Sequence, residues 1–348
     1  MEKTKEYQQE GVYVVLPRKE SKKHFTSIKD ATERFIRQLK EIERRCVNPD
    51  EDTDKLFEAT KKAIDEMGLA CEEFEMIVDN DKKAIKDAQV EFRAKTNHIV
   101  SKSYLFNRAR TWPQGYQGDY IMLEAIYRNT PLSSGIGYYL DRYVLASTLS
   151  VAVRGRRETL RDILKKEIEK RESPKILDIA CGSSRELLEI SPDIVRTGAR
   201  IICVDFDSDA LTFSADRLSY ADHLIENVEF RRYNALRMVN HERNLREFGM
   251  QDIIYSTGLF DYLEDEVLIR LLGSLYKLLA PKGNLIASFK DCLRYKSYYT
   301  EWFLAWDGFK QRTVEDMYEL FKKAGIPHTA LTTVRENSGV IIFFTTTK

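Results

Sequence analysis

At 348 residues, with 43% hydrophobic and 11% aromatic content, the chain is long enough to bury a substantial core in one large domain or two ordinary ones. Its 55 Lys plus Arg balance 55 Asp plus Glu, so no global charge draws it to nucleic acid or to an anionic membrane. No apolar run approaches the roughly 20 residues of a bilayer span, and the start "MEKTKEYQQE" is charged where a secretory signal is apolar, so a cytoplasmic location is expected.

Five cysteines (Cys46, Cys71, Cys181, Cys203, Cys292) are scattered, with no CxxC pair and no histidines at ligand spacing. Free thiols are expected, with neither a disulfide framework nor a metal site. In chain order, residues 27–46 ("SIKDATERFIRQLKEIERRC") and 53–98 carry apolar residues at helical spacing among many charges, which predicts an all-α first half. Residues 112–137 interrupt it with "WPQGYQGDY" and "RNTPLSSGIGYY", a glycine- and tyrosine-rich stretch that reads as a working loop or a tight crossing of elements.

The pattern changes near residues 165–175. Short apolar runs then alternate with amphipathic stretches, as in βαβ units around a parallel sheet. Strands are expected at 175–177, 200–204, 228–233, 252–255 and 284–289, with helices near 185–190, 207–223 and 265–279. Thr313 and Asp316 form a capping-box start for another helix, ended by Gly325 and Pro327. The chain closes in two β-rich runs joined by "RENSG", a hairpin that adds an antiparallel strand to the parallel sheet. The expected architecture is α/β: a Rossmann-like, mostly parallel seven-stranded sheet with an antiparallel C-terminal hairpin strand, as in class I methyltransferases. An all-α region precedes it. The division places a helical region at 1–165, contributing to the acceptor site or a lid, and a donor-binding domain at 166–348.

In such a sheet a ligand lies beyond the carboxyl ends of the strands, which puts Asp178 to Ser184 in "ILDIACGSSRE" at the site. A dinucleotide needs glycines at the positions held here by Ala180 and Ser184, because its pyrophosphate must approach the backbone. S-adenosylmethionine has no phosphate and needs one sharp turn, at Gly182, with polar groups for an amine and a carboxylate. Asp178, Ala180, Cys181, Gly182 and Glu186 are therefore its expected neighbours. Asp205 lies 23 residues after Gly182, close to the distance of about 20 at which an acid accepts from ribose hydroxyls. Phe206 would flank the adenine, Asn234 and Ala235 would read its amino group, and Ser256, Gly258 and Leu259 would lie over the methyl group. Phe260 and Tyr262 read equally as acceptor-side or core residues. No Asp/Asn-Pro-Pro-Tyr motif, Gly-x-Ser-x-Gly elbow or P-loop is present.

The segments 112–129, 141–160, 176–186, 255–265 and 301–320 together resemble the bacterial extracellular-factor hydroxypalmitic acid methyl ester biosynthesis proteins, over about residues 104–348. The Gly-Tyr-x-Gly-Asp-Tyr block and Glu301-Trp302 are the distinctive parts. The resemblance implies methyl transfer from S-adenosylmethionine to a small acceptor, in the named case the carboxyl oxygen of a hydroxylated fatty acid, with Tyr116, Asp119 and Tyr120 contributing from the helical half.

A carboxylate acceptor needs no base but does need a cation or hydroxyls, for which Arg154, Tyr116 and Tyr120 are candidates; an amine or hydroxyl acceptor needs a base, Asp119 or Glu301. Trp302 and Trp306 would line an apolar pocket, hold a cation or pack between the halves. Expected partners are a small-molecule acceptor and, through the N-terminal helices, a second copy of the chain, with no nucleic acid and no membrane. Two other readings stand beside this one: a protein or RNA methyltransferase docking through residues 27–98, and a non-enzymatic donor-binding protein.

Overall fold

The computed structural model describes residues 27–221, 223–306 and 308–348. The charged start of the chain lies outside them. Seven helices come first: α1 (Ile28–Arg45), α2 (Thr53–Ile77), α3 (Lys82–Val100), α4 (Tyr104–Thr111), α5 (Tyr120–Arg128), α6 (Ile136–Ala146) and α7 (Thr148–Glu169). The stretch expected to be helical over 53–98 divides into α2 and α3. Asp79 and Asn80 adopt left-handed backbone (φ 50° and 57°), which Asp and Asn tolerate better than most residues, and Asp81 then caps α3 through Lys83 N and Ala84 N.

The second half alternates strands and helices: β1 (Lys175–Ile179), α8 (Arg185–Glu189), α9 (Ser191–Thr197), β2 (Arg200–Asp205), α10 (Ser208–Ser219), β3 (Val228–Arg232), α11 (His241–Phe248), β4 (Gln251–Thr257), α12 (Asp265–Leu278), β5 (Leu279–Lys290), α13 (Val314–Lys323), β6 (Leu331–Arg335) and β7 (Ile341–Thr347). The sheet order is β3-β2-β1-β4-β5-β7-β6; β7 runs antiparallel to both neighbours and the other pairings are parallel. The seven-stranded, mostly parallel sheet with its closing hairpin is thus the expected one. α13 starts with the capping box of Thr313 and Asp316.

The period-two geometry of the strands divides their apolar residues between two cores. Ile176, Ile201, Ile253, Ile286 and Phe343 face the core shared with α1–α7. Leu177, Val204, Ile254, Leu285 and Phe344 face the core under α12 and α13. Both faces are covered, which is why the strands read as continuous apolar runs rather than alternating ones.

A one-turn π-helix at Tyr299–Phe303 ties the halves together. It packs on α3; Arg93 Nη1 donates to Glu301 O at 2.5 Å and Arg110 Nε to Phe303 O at 2.8 Å. Trp302 is fully buried among Phe74 and Phe92 and donates from Nε1 to Glu75 Oε1 at 2.7 Å. Gly68 of α2 makes room for Tyr298, whose ring would come within 2.3 Å of a Cβ there. Trp302→Ala should therefore cost about 3–5 kcal/mol, seen as a lower urea midpoint for the transition that exposes the helical half.

Candidate active site

A cavity of about 480 Å³ lies between the carboxyl ends of β1, β2 and β4 and the helical half. Its donor side is built from the β1–α8 turn. Ala180, Gly182 and Ser184 all take left-handed backbone (φ 58°, 55° and 44°), and the space where a Gly182 side chain would project is open. Asp205, at the end of β2, accepts from Gly182 N at 2.9 Å on one oxygen and from Asp207 N at 3.0 Å on the other. Each oxygen keeps lone-pair capacity toward the cavity, the arrangement a ribose diol requires.

Phe206, Asn234, Ala235 and Leu236 line the same side. Tyr116 closes it: its ring meets Phe206 edge-on with centroids 5.0 Å apart, and Oη donates to Asp207 Oδ2 at 2.8 Å. Gly115 and Gly118 (φ 79° and 69°) let the 112–119 loop turn tightly enough to bring Tyr116 there. Glu124 of α5 anchors the helical half to this turn by ion pairs to Arg185, at 2.9 Å, and Arg217, at 2.5 Å.

Several expected donor neighbours support the loop without lining the cavity. Ser256 donates to Ile179 O at 2.8 Å, and Glu186 accepts from Tyr255 Oη at 3.1 Å. Asp178, Cys181 and Cys203 bring a carboxylate and two thiols within 4.8 Å of one another beneath the turn. Burial pushes Asp178 well above the ordinary carboxylate range, and its Oδ2 has no hydrogen-bond partner.

The acceptor side is apolar with a cationic edge. Met122, Leu123, Ile126, Val144, Val153 and Leu304 form its walls, with Tyr120, Tyr262 and Trp306. Trp306 is fixed by its Nε1 donating to Ala109 O at 2.9 Å. Arg156 of α7, 4% exposed, reaches the turn after β4, where its Nη1 would lie 2.8 Å from a Cβ on Gly258 (φ 101°). Its partners on the protein side are the Tyr127 hydroxyl and, at longer range, the carboxyl of Glu186. Lys290 at the end of β5 pairs with buried Asp261 at 2.5 Å and sits 4.0 Å from the Phe309 ring centroid; burial pushes its pKa down.

The remaining expectations do not meet at the cavity. Asp119 caps α5 through Met122 N at 2.9 Å and pairs with Arg108 at 2.9 Å, which commits its carboxylate to folding. Glu301 is not among the residues that line the cavity, whereas Tyr299 and Thr300 of the same turn are. Trp302 is core for the reason given above, and Phe260 packs against Phe289. Arg154 lines a separate surface depression with Asp54 and Arg142. The cation that reaches the site is Arg156, and its helix phase was readable: Arg156, Leu160, Leu164 and Ile168 repeat every four residues and are all buried.

Residues 177–285 match the family described as methyltransferase domain. The enzyme is S-adenosylmethionine-dependent, and the phosphate-free donor cradle around Gly182 and Asp205 fits that cofactor. Among solved structures the chain is similar to a possible exported protein from Bordetella parapertussis, at 14% identity and a TM-score of 0.56, covering 92% of this chain and 97% of that one. That likeness is one of fold. It is also similar to magnesium protoporphyrin IX methyltransferase from Synechocystis PCC 6803 (11% identity, TM-score 0.42, 57% and 83% covered). A third similarity is to the N-methyltransferase NodS from Bradyrhizobium japonicum WM9 (14%, 0.37, 56% and 96%). No match is found among curated protein sequences. No helix of the described residues is long and apolar enough to cross a membrane.

Asp205→Asn removes the charged acceptor for the ribose and should weaken donor binding about tenfold, about 1.4 kcal/mol, by calorimetry. Glu301→Gln, by contrast, should leave turnover within about twofold, as expected of a substitution outside the site.

Proposed function

We propose that the enzyme methylates a carboxylate oxygen of a small, largely apolar acid. The observation that carries this reading is Arg156: a buried guanidinium that lines the cavity beside Gly258, on the side where the donor's methyl group belongs, while the carboxyl that interacts with it, Glu186, lies outside the cavity lining. Burying a charge is costly; Glu186, the carboxyl that interacts with Arg156 at longer range, is itself pushed up by burial, so an anionic ligand offsets a cost the chain meets only in part. With Lys290 and Asp261 cancelling each other, Arg156 leaves the acceptor end net positive, which opposes an amine and favours an anion.

The absence of a suitable base points the same way. Among the described residues lining the cavity, Asp205 is the one carboxylate, and it faces the donor side. Tyr262 and Tyr299 are both raised further above the ordinary phenol range, chiefly by burial, and make poor bases. S-adenosylmethionine supplies a methyl group already activated on a sulfonium. The chain then contributes alignment: Arg156 orients the acid, Gly258 permits close approach, and the Tyr116 loop and Trp306 exclude water. A carboxylate has no proton to lose, so no proton moves.

The resemblance to hydroxy fatty acid methyl ester proteins agrees with this chemistry, and the apolar walls suit an aliphatic acid. We place the reaction in the cytosol, in keeping with five free cysteines. The test uses a series of one chain length carrying an acid, a primary amide, an amine or an alcohol. The acid alone should accept label from the donor, and Arg156→Gln should lower its kcat/KM at least about tenfold, about 1.4 kcal/mol, with donor affinity unchanged. Preferential methylation of the amine contradicts the reading.

A further inference from the structure

We propose that the surface depression outside the reaction chamber, between α2, α6 and α7, is a second ligand site. It takes a small organic anion, with the oxyanion head at Arg154 and the apolar body against Phe57 and Leu145. The proposal does not depend on the identity of the methyl acceptor.

The depression has a volume of about 610 Å³, a size suited to a metabolite. It lies on the back of the chamber wall. Successive residues of a helix point in different directions, so each wall helix serves both surfaces. In α6, Val144 lines the chamber and Leu145 the depression; in α7, Val153 and Arg156 line the chamber and Arg154 the depression.

Arg154 is half-buried, and its Nη1 is sealed from solvent without a hydrogen-bond partner. Loss of water pulls its pKa down, and the carboxylate that acts on it, Glu158 one turn on, lies 3.7 Å from Arg157. A guanidinium that has lost part of its hydration, and whose neighbouring acid is engaged elsewhere, is stabilised by an anion from outside.

A second guanidinium lines the same depression. Arg142 is held 4.2 Å from the ring centroid of Phe57 and 5.9 Å from that of Tyr138. It pairs with Asp54 at 3.3 Å, but the Asp54 side chain is 86% exposed, so water screens that pair. Two guanidiniums therefore face one solvated carboxylate, and the lining is net positive. Thr53 and Asn129 add neutral donors. Phe57, Pro131 and Leu145 add apolar surface that a bare inorganic ion would leave uncovered, which is why the ligand is an organic anion.

The experiment titrates phenyl phosphate, benzoate and phenol by calorimetry into the full-length protein saturated with S-adenosylhomocysteine, in wild type, Arg154→Gln and Arg156→Gln. At least one of the two anions should bind wild type with a Kd of about 1 mM or tighter, and the tighter of them names a phosphate or a carboxylate head. Phenol should bind at least about tenfold more weakly. Arg154→Gln should weaken the anion about tenfold, whereas Arg156→Gln, whose change lies in the chamber, should leave it within about twofold. Both variants should bind S-adenosylhomocysteine as wild type does, which shows them folded. Failure of both anions to bind overturns the proposal, as does phenol binding as tightly as they do. An anion affinity that survives Arg154→Gln, or that falls with Arg156→Gln, also overturns it, because the anion then sits in the chamber or elsewhere.

Discussion

A guanidinium buried where the helical half meets the sheet constrains everything around it. Arg156 is buried at the carboxyl edge of the sheet because α7 crosses there and Gly258 leaves room for its Nη1. Lys290 cannot take over its role, since Asp261 already compensates it and both are buried. The positive end of the chamber is therefore a property of one residue on the helical half facing a turn on the sheet half. Neither half forms the site alone.

The same dependence runs through the π-helical turn. Its residues divide by direction: Tyr299 and Thr300 line the chamber, while Trp302 and Phe303 enter the core of the N-terminal helices. Arg93 and Arg110 hold its carbonyls from α3 and α4. A π-turn inserts an extra residue into a helix and rotates the side chains that follow, so a short segment can serve both surfaces. Helices α1–α3, which contribute no lining residue, thus set the position of two residues that do.

The sheet, and the meeting of Gly182 and Asp205 at the ends of β1 and β2, were legible in the sequence because each rests on local signals. Apolar runs bounded by turn residues, the spacing from Gly182 to Asp205, the capping box at Thr313 and the closing hairpin are features of contiguous chain. The acceptor side was not, because it is made by juxtaposition. Arg154 and Arg156 look alike in "RGRR", and only helix phase sends one to a surface depression and the other into the chamber. Glu301 and Trp302 have chemically suggestive side chains, yet the direction of the π-turn assigns the chamber to Tyr299 and Thr300. Asp119 looked like a base because its block is distinctive; its Oδ1 instead caps α5 and holds Arg108. The break at Asp79 and Asn80 was similarly hidden, as the charged, apolar-periodic pattern continues across it.

The most direct test of carboxylate methylation is to incubate the enzyme and a metabolite extract with donor bearing a deuterated methyl group, then treat the labelled products with mild alkali. A methyl ester releases its label as methanol, and that is the predicted result. Label that stays on the product through alkali, as it would on an amine or an ether, contradicts the account.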